Sequence, residues 1–234
     1  MAKKTGVTLA IPDPHFPAHH PDIFPFLLHI KKTYKPDTVV ALGDLADQHA
    51  ASRHPRDPDW YSIGHELDKV IETVQPLYEM FPDVLACIGN HDTRIHDRAF
   101  ESGTMPKRLL PSFSRVYKSP KGWKWADSHE VYGVIYEHGT GMSGEMGHKK
   151  AAMQNMQSTV IGHLHSSPGI AWYFNKKHAV FGMNAGCLID VKSPAMAYGK
   201  HYKAKPGIGC GIVAYGVPSF VPMLLDRHGR WIGK

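Results

Sequence analysis

Three short apolar runs, at residues 5–11, 38–42 and 84–88, read as buried strands. Between them lie stretches of helical periodicity. Residues 22–34 put Ile23, Phe26, Leu27 and Ile30 on one face, and residues 63–81 do the same with Leu67, Val70, Ile71 and Val74. Pro76 is expected to kink the second helix. Residues 46–62 are polar and proline-rich, as in a loop. The pattern is therefore strand, loop, helix, repeated, with polar residues at the C-terminal end of each strand. In α/β sheets those ends are where sites form.

Residues 93–128 break this rhythm. They read as one or two short helices plus loop, rich in Arg, Lys and aromatics, and form a cap-like insertion in what is otherwise a single domain spanning 1–234. Strands are expected at 131–136 and 158–161, with a helix at 144–156 between them. Short strand-like runs at 170–174, 178–183, 212–215 and 220–225 suggest a second, more antiparallel sheet.

Composition changes this picture little. The 234 residues suit one large domain, and 42% apolar with 21% charged residues is ordinary for a globular chain. A formal charge of +6 leans mildly towards polyanionic partners. Cys87, Cys187 and Cys210 are widely spaced and form no CxxC pair, which argues against a disulfide framework or thiolate zinc site and fits a reducing, cytoplasmic setting. No apolar stretch of useful length follows Lys3 and Lys4, so no signal peptide is expected, and no run approaches the roughly 18 residues of a membrane span. Histidine is the unusual feature, at 17 residues.

The histidines matter where they meet carboxylates at strand ends. Asp13-x-His15 follows the first strand, Gly43-Asp44 the second, and Gly89-Asn90-His91-Asp92 the third. His138-Gly139 and His163-x-His165 follow two later strands. Hard oxygen and borderline imidazole ligands on positions fixed by a sheet suit a pair of divalent cations, with one carboxylate bridging them. The all-N/O set with an Asn favours manganese, with iron, zinc or nickel as alternatives, over calcium.

With these elements in this order, the chain resembles the calcineurin-like metallophosphoesterase superfamily, whose pattern runs D-x-H, G-D-x-x-D, G-N-H-[DE], H-G and G-H-x-H. The second element reads Gly43-Asp44-Leu45-Ala46-Asp47 here. The resemblance implies a four-layer α/β/β/α sandwich with two mixed sheets. It implies that Asp13, His15, Asp44 and His165 hold one metal and that Asp44, Asn90, His138 and His163 hold the other. A hydroxide shared by the metals would attack phosphorus, while His91 would face the phosphate and protonate the leaving oxygen. Asp47 and Asp92 are both candidates to orient His91. His19, His20, His49, His54, His96, His129 and His148 have no motif support, although His49 and His54 could reach the mouth of the site.

Gln48 follows Asp47, where the superfamily's Ser/Thr protein phosphatases carry Arg, and those enzymes lack the G-H-x-H form. The pattern looks more like the phosphodiesterase and nuclease branches, in a compact phage-type form. The basic residues of 93–128 could meet phosphates, with Arg94, one helical turn from His91, the leading substrate contact. The interleaved Phe100, Phe113, Tyr117, Trp123 and Trp125 suit either base stacking or a small core. The reading is a phosphodiesterase for nucleotides, cyclic nucleotides or nucleic acid, in a host cytoplasm if phage-encoded, with no membrane or protein partner implied. A broad phosphomonoesterase is the alternative. A catalytically silent binding scaffold fits least, since His91 and every ligand position are filled.

Overall fold

Strands that are apolar on both faces need cover on both sides. The computed structural model describes residues 5–53, 57–103, 105–194, 196 and 205–233. Strands β1 (Val7–Ile11), β2 (Thr38–Ala41) and β3 (Asp83–Cys87) run parallel in that order, and β4 (Gly122–Ala126) continues the sheet beyond β3. Their side chains alternate between two cores. Leu9, Ile11, Val39, Ala41, Val84 and Ala86 pack beneath α1 (Ile23–Tyr34), α2 (Ile63–Thr73) and α3 (Gln75–Met80). Ala10, Val40, Leu42 and Cys87 face the other way, onto a second sheet.

That second sheet has the order β5-β6-β7-β9-β8. It comprises β5 (Ser128–Val131), β6 (Val134–Glu137), β7 (Thr159–Ile161), β8 (Gly169–Phe174) and β9 (Ala179–Asn184). It presents Val131, Val134, Tyr136, Val160, Phe181 and Met183 to the shared core, and the helix Gly147–Asn155 covers its outer side. Each sheet mixes parallel and antiparallel pairs. The layers are helix, sheet, sheet, helix, as expected.

Four local expectations change. The C-terminal runs do not all join the second sheet: β10 (Gly209–Ala214) lies antiparallel to β1 and β11 (Val217–Pro222) pairs with β10, both in the first sheet. Cys210 and Ile212 share the core of Leu9 and Ile11, so this strand is apolar because it lies inside a sheet. Residues 131–136 are not one strand but the tip of a hairpin. Tyr132 and Gly133 take positive φ (52° and 76°), as a tight two-residue turn requires, and the Tyr132 ring keeps the run apolar by packing on the shared core. The helix over 63–81 breaks at Val74, and Pro76 falls in the first turn of α3, where its missing N–H is harmless. Residues 122–126, expected as loop or short helix, are the strand β4. Among the described residues, no helix is long and apolar enough to cross a membrane.

Candidate metal centre

Every motif singled out above lies just beyond the C-terminal end of a strand, on the same edge of the sandwich. Asp13 and His15 follow β1, Asp44 follows β2, Asn90 and His91 follow β3, His138 follows β6, and His163 and His165 follow β7. The backbone there is strained. Asp13, His15, Asp44 and His163 adopt φ of 38°, 51°, 48° and 64°, in the left-handed region that side chains rarely enter. Each such residue costs on the order of 1–3 kcal/mol, and such strain clusters where side-chain direction matters.

Two glycines let the loops close. The His163 N–H donates to Asp13 Oδ2 (2.7 Å) and the His91 N–H to Asp44 Oδ1 (2.8 Å). A Cβ on Gly162 would overlap the Asp13 carboxylate, and one on Gly89 would overlap Asp44. Gly162→Ala is therefore expected to turn Asp13 out of place and lower divalent-metal affinity by about tenfold or more, as measured by calorimetry on the apo-protein. Unchanged affinity would mean that the loop yields freely.

The side chains form three overlapping groups, one of which, His15, Asp44 and His91, links the other two. Asp13, His15 and His165 make the first, with His165 Nε2 3.0 Å from Asp13 Oδ2 and 3.2 Å from His15 Nε2. Asp44, His138 and His163 make the second, and Asn90 Oδ1 lies 2.9 Å from His138 Nε2. Asp44 Oδ2 stands between them, 3.7 Å from His15 Nε2 and 3.3 Å from His138 Nε2.

Tautomers are set from outside. His15 Nδ1–H donates to Asp47 Oδ1 (2.8 Å) and His138 Nδ1–H to the Leu42 carbonyl (2.9 Å), so both rings turn Nε2 into the cluster. Burial, with His91 nearby, lowers the pKa of His15; burial and His138 lower that of His163. Both rings are thus held neutral, as ligands must be. Burial resists charge on His138, but Asp44 and Asp13 outweigh it and raise its pKa to about 10. Burial likewise opposes charge on Asp44, yet His138, His91 and His15 hold its carboxyl well below the usual range.

This donor set fits a cation. Two imidazole nitrogens face each other at 3.2 Å, and buried Asp13 Oδ1 has no hydrogen-bond partner. Positive charge among these lone pairs would relieve both.

His91 stands at the rim. Its Nδ1 donates to the Asp47 backbone carbonyl (2.9 Å) and approaches Asp47 Oδ1 (3.2 Å). Burial depresses its pKa, but Asp44 and Asp47 outweigh both that and Arg94, leaving it raised. Arg94 Nη1 donates to the Asp47 carbonyl (2.8 Å) and Nη2 to His91 Nε2 (2.7 Å). The carboxylate beside the His91 ring is therefore that of Asp47. Asp92 points elsewhere, accepting from Gly89 N (2.9 Å), Ala46 N (3.3 Å) and Tyr117 Oη (3.2 Å), so it pins the loop after β3 to the loop after β2. Burial and the Asp44 charge raise its pKa to about 7.

Two supports were not read from the sequence. Gln48 is buried, donating to the Asp92 carbonyl (3.1 Å) and Tyr117 Oη (2.6 Å) and accepting from Ile95 N (3.1 Å). Glu66 is buried on α2 and accepts from His49 N (2.8 Å) and Ala50 N (2.9 Å), holding the loop that carries Asp47. An acidic residue within an apolar stripe was the available signal. His49 is buried, with Nδ1 3.9 Å from Asp47 Oδ2, while His54 lies outside the described residues. The aromatics of 93–128 mostly serve the core. Tyr117 and Trp123 are buried, Phe113 and Trp125 pack beside them, and Phe100 is exposed.

A family model described as calcineurin-like phosphoesterase matches residues 7–186, from β1 past the last candidate ligand. This chain belongs to the calcineurin-like phosphoesterase family. Solved structures similar to this chain include Yfce, a phosphoesterase from E. coli (14% identity, TM-score 0.48, covering 97% of this chain and 96% of that one). Others are a metallophosphoesterase from Sphaerobacter thermophilus (12%, 0.44, 95% and 89%) and Vacuolar Protein Sorting 29 from Cryptosporidium parvum (12%, 0.44, 92% and 95%). No curated protein sequence matches this chain. Family membership and the overlapping His/Asp groups together suggest divalent-metal binding and a phosphate-ester substrate.

Proposed function

We propose that the protein is a phosphodiesterase acting on nucleotides or nucleic acid, with two divalent cations, manganese favoured, as its cofactors. The observation that carries the two-cation reading is the placement of Asp44 Oδ2 between His15 Nε2 and His138 Nε2. Asp13, His15, Asp44 and His165 would hold one ion, and Asp44, Asn90, His138 and His163 the other. When bound, such ions supply positive charge for phosphate oxygens and acidify water as a nucleophile.

The protein's own groups do the rest. Asp47 keeps the Nδ1 proton of His91 engaged and, with Asp44, favours the charged ring, so that once Arg94 moves off, a protonated Nε2 at the rim delivers its proton to the leaving oxygen. Asn90 presents its amide where the phosphate would lie, and Arg94, already on His91 Nε2, is placed to move onto a phosphate oxygen. Asp92 serves by fixing the His91 loop. The chain acts as one domain, with the segment at 93–128 flanking the site.

Diester preference is supported at Gln48. The position after Asp47 carries no arginine for a phosphate dianion, and the glutamine is committed to Asp92 and Tyr117. The test is hydrolysis of bis-p-nitrophenyl phosphate beside p-nitrophenyl phosphate by apo-protein reloaded with manganese. A preference for the diester of about tenfold or more in kcat/KM is expected. A preference for the monoester would instead make the protein a phosphomonoesterase.

A further inference from the structure

Beside His91 the surface opens into a cavity of about 220 Å³, with Asn90 and Arg94 at its inner end and Arg53 and Arg98 on its walls. Arg94 and Arg98 are four residues apart on α4 (Arg94–Glu101) and so share one helical face. Arg53 arrives from the opposite side, on the loop that follows Asp47.

The arginines are organised rather than scattered. Arg98 donates through Nε to the Ala51 carbonyl (3.2 Å) and through Nη2 to the Ser52 carbonyl (3.0 Å), which fixes it against the loop bearing Arg53. Arg53 and Arg98 both pair with Glu101, and the wall also carries Asp97, whose carboxylate accepts from Thr93 Oγ1 (2.8 Å). Positive charge still exceeds negative among the lining residues. Exposed pairs such as these exchange readily for a better anion.

Resting on the phosphoesterase reading above, we infer that this cavity holds a second, non-reacting phosphate of the substrate, next to the one at the metal centre. The neutral amide of Asn90 and the Arg94 guanidinium lie where the two phosphates would meet. Arg53 and Arg98 give the second one planar donors suited to phosphate oxygens. Such a substrate carries two phosphates, either successive ones along a nucleic-acid strand or adjacent ones in a nucleotide.

The test is binding, by calorimetry on manganese-loaded protein, of thymidine 5′-monophosphate, thymidine 3′,5′-bisphosphate and thymidine 5′-diphosphate. Wild type is expected to bind one of the two-phosphate ligands about tenfold or more tightly than the monophosphate. Preference for the 3′,5′-bisphosphate assigns a strand; preference for the diphosphate assigns a nucleotide anhydride. In Arg53→Gln the ratio should fall towards one, and in Arg98→Gln it should do so as well. Because Arg98 also braces the loop, Arg53→Gln is the decisive variant. Equal affinities in wild type, or a preference kept by Arg53→Gln, would overturn the inference. Preferential binding without any phosphoester hydrolysis would leave the cavity assigned and remove the enzymatic reading, whereas hydrolysis without preference would do the reverse.

Discussion

Asp44→Ala is expected to eliminate measurable hydrolysis and to empty both halves of the candidate centre. One oxygen of Asp44 lies within 3.3–3.8 Å of ring nitrogens of His138, His15 and His91, and the other receives the His91 N–H. Without the carboxylate, two buried imidazoles and the rim ring of His91 would surround a gap, with Asp13 as the remaining acidic ligand. A divalent ion would then meet too little negative charge to offset its dehydration. Elemental analysis after manganese loading and gel filtration should fall from about two ions per chain to well below one. A variant that kept both ions and turned over within about tenfold of wild type would remove Asp44 from the bridging position.

His91→Ala should leave the metal content intact, because the ring lies at the rim and its Nε2 faces Arg94. Its kcat should drop by roughly 10²-fold or more, the usual cost of losing a positioned acid. The deficit should also depend on the leaving group. A nitrophenolate departs without a proton, whereas a sugar alkoxide needs one. The loss is therefore expected to be smaller for bis-p-nitrophenyl phosphate than for a thymidine dinucleotide. Equal losses on both substrates would show that His91 stabilises the phosphate rather than protonating the leaving oxygen.

Much of this was legible in the sequence because the site and the sheet obey the same rule. A strand buried on both faces must be apolar, so Leu9–Ile11 and Val39–Leu42 announce themselves, and the polar residues that follow mark the sheet edge. The partner of β1 was not legible. β10 and β8 are both short apolar runs, and nothing local distinguishes a strand that crosses to the first sheet from one that stays in the second. Nor could spacing choose between Asp47 and Asp92 as the partner of His91. Asp92 is its chain neighbour and Asp47 ends the motif on the adjacent strand, and only the turn that sends Asp92 back to Gly89 N separates them. The burial of Glu66 was hidden for a similar reason, since its partners come from a loop whose path the helix does not determine.

The pairing of β1 with β10 bears on how the protein matures during synthesis. β1 supplies Asp13 and His15, yet one of its two flanking strands lies about two hundred residues later, pairing Val7 with Ala214 and Ala10 with Gly211. While a ribosome is still making the middle of the chain, β1 has β2 on one side and an open row of backbone donors and acceptors on the other. Joining ends so far apart in sequence is a slow, non-local step. Capture of metal at the first cluster would therefore follow the docking of β10. Until then the growing polypeptide exposes a sticky edge beside its future active centre, the stretch where a chaperone would be of most use.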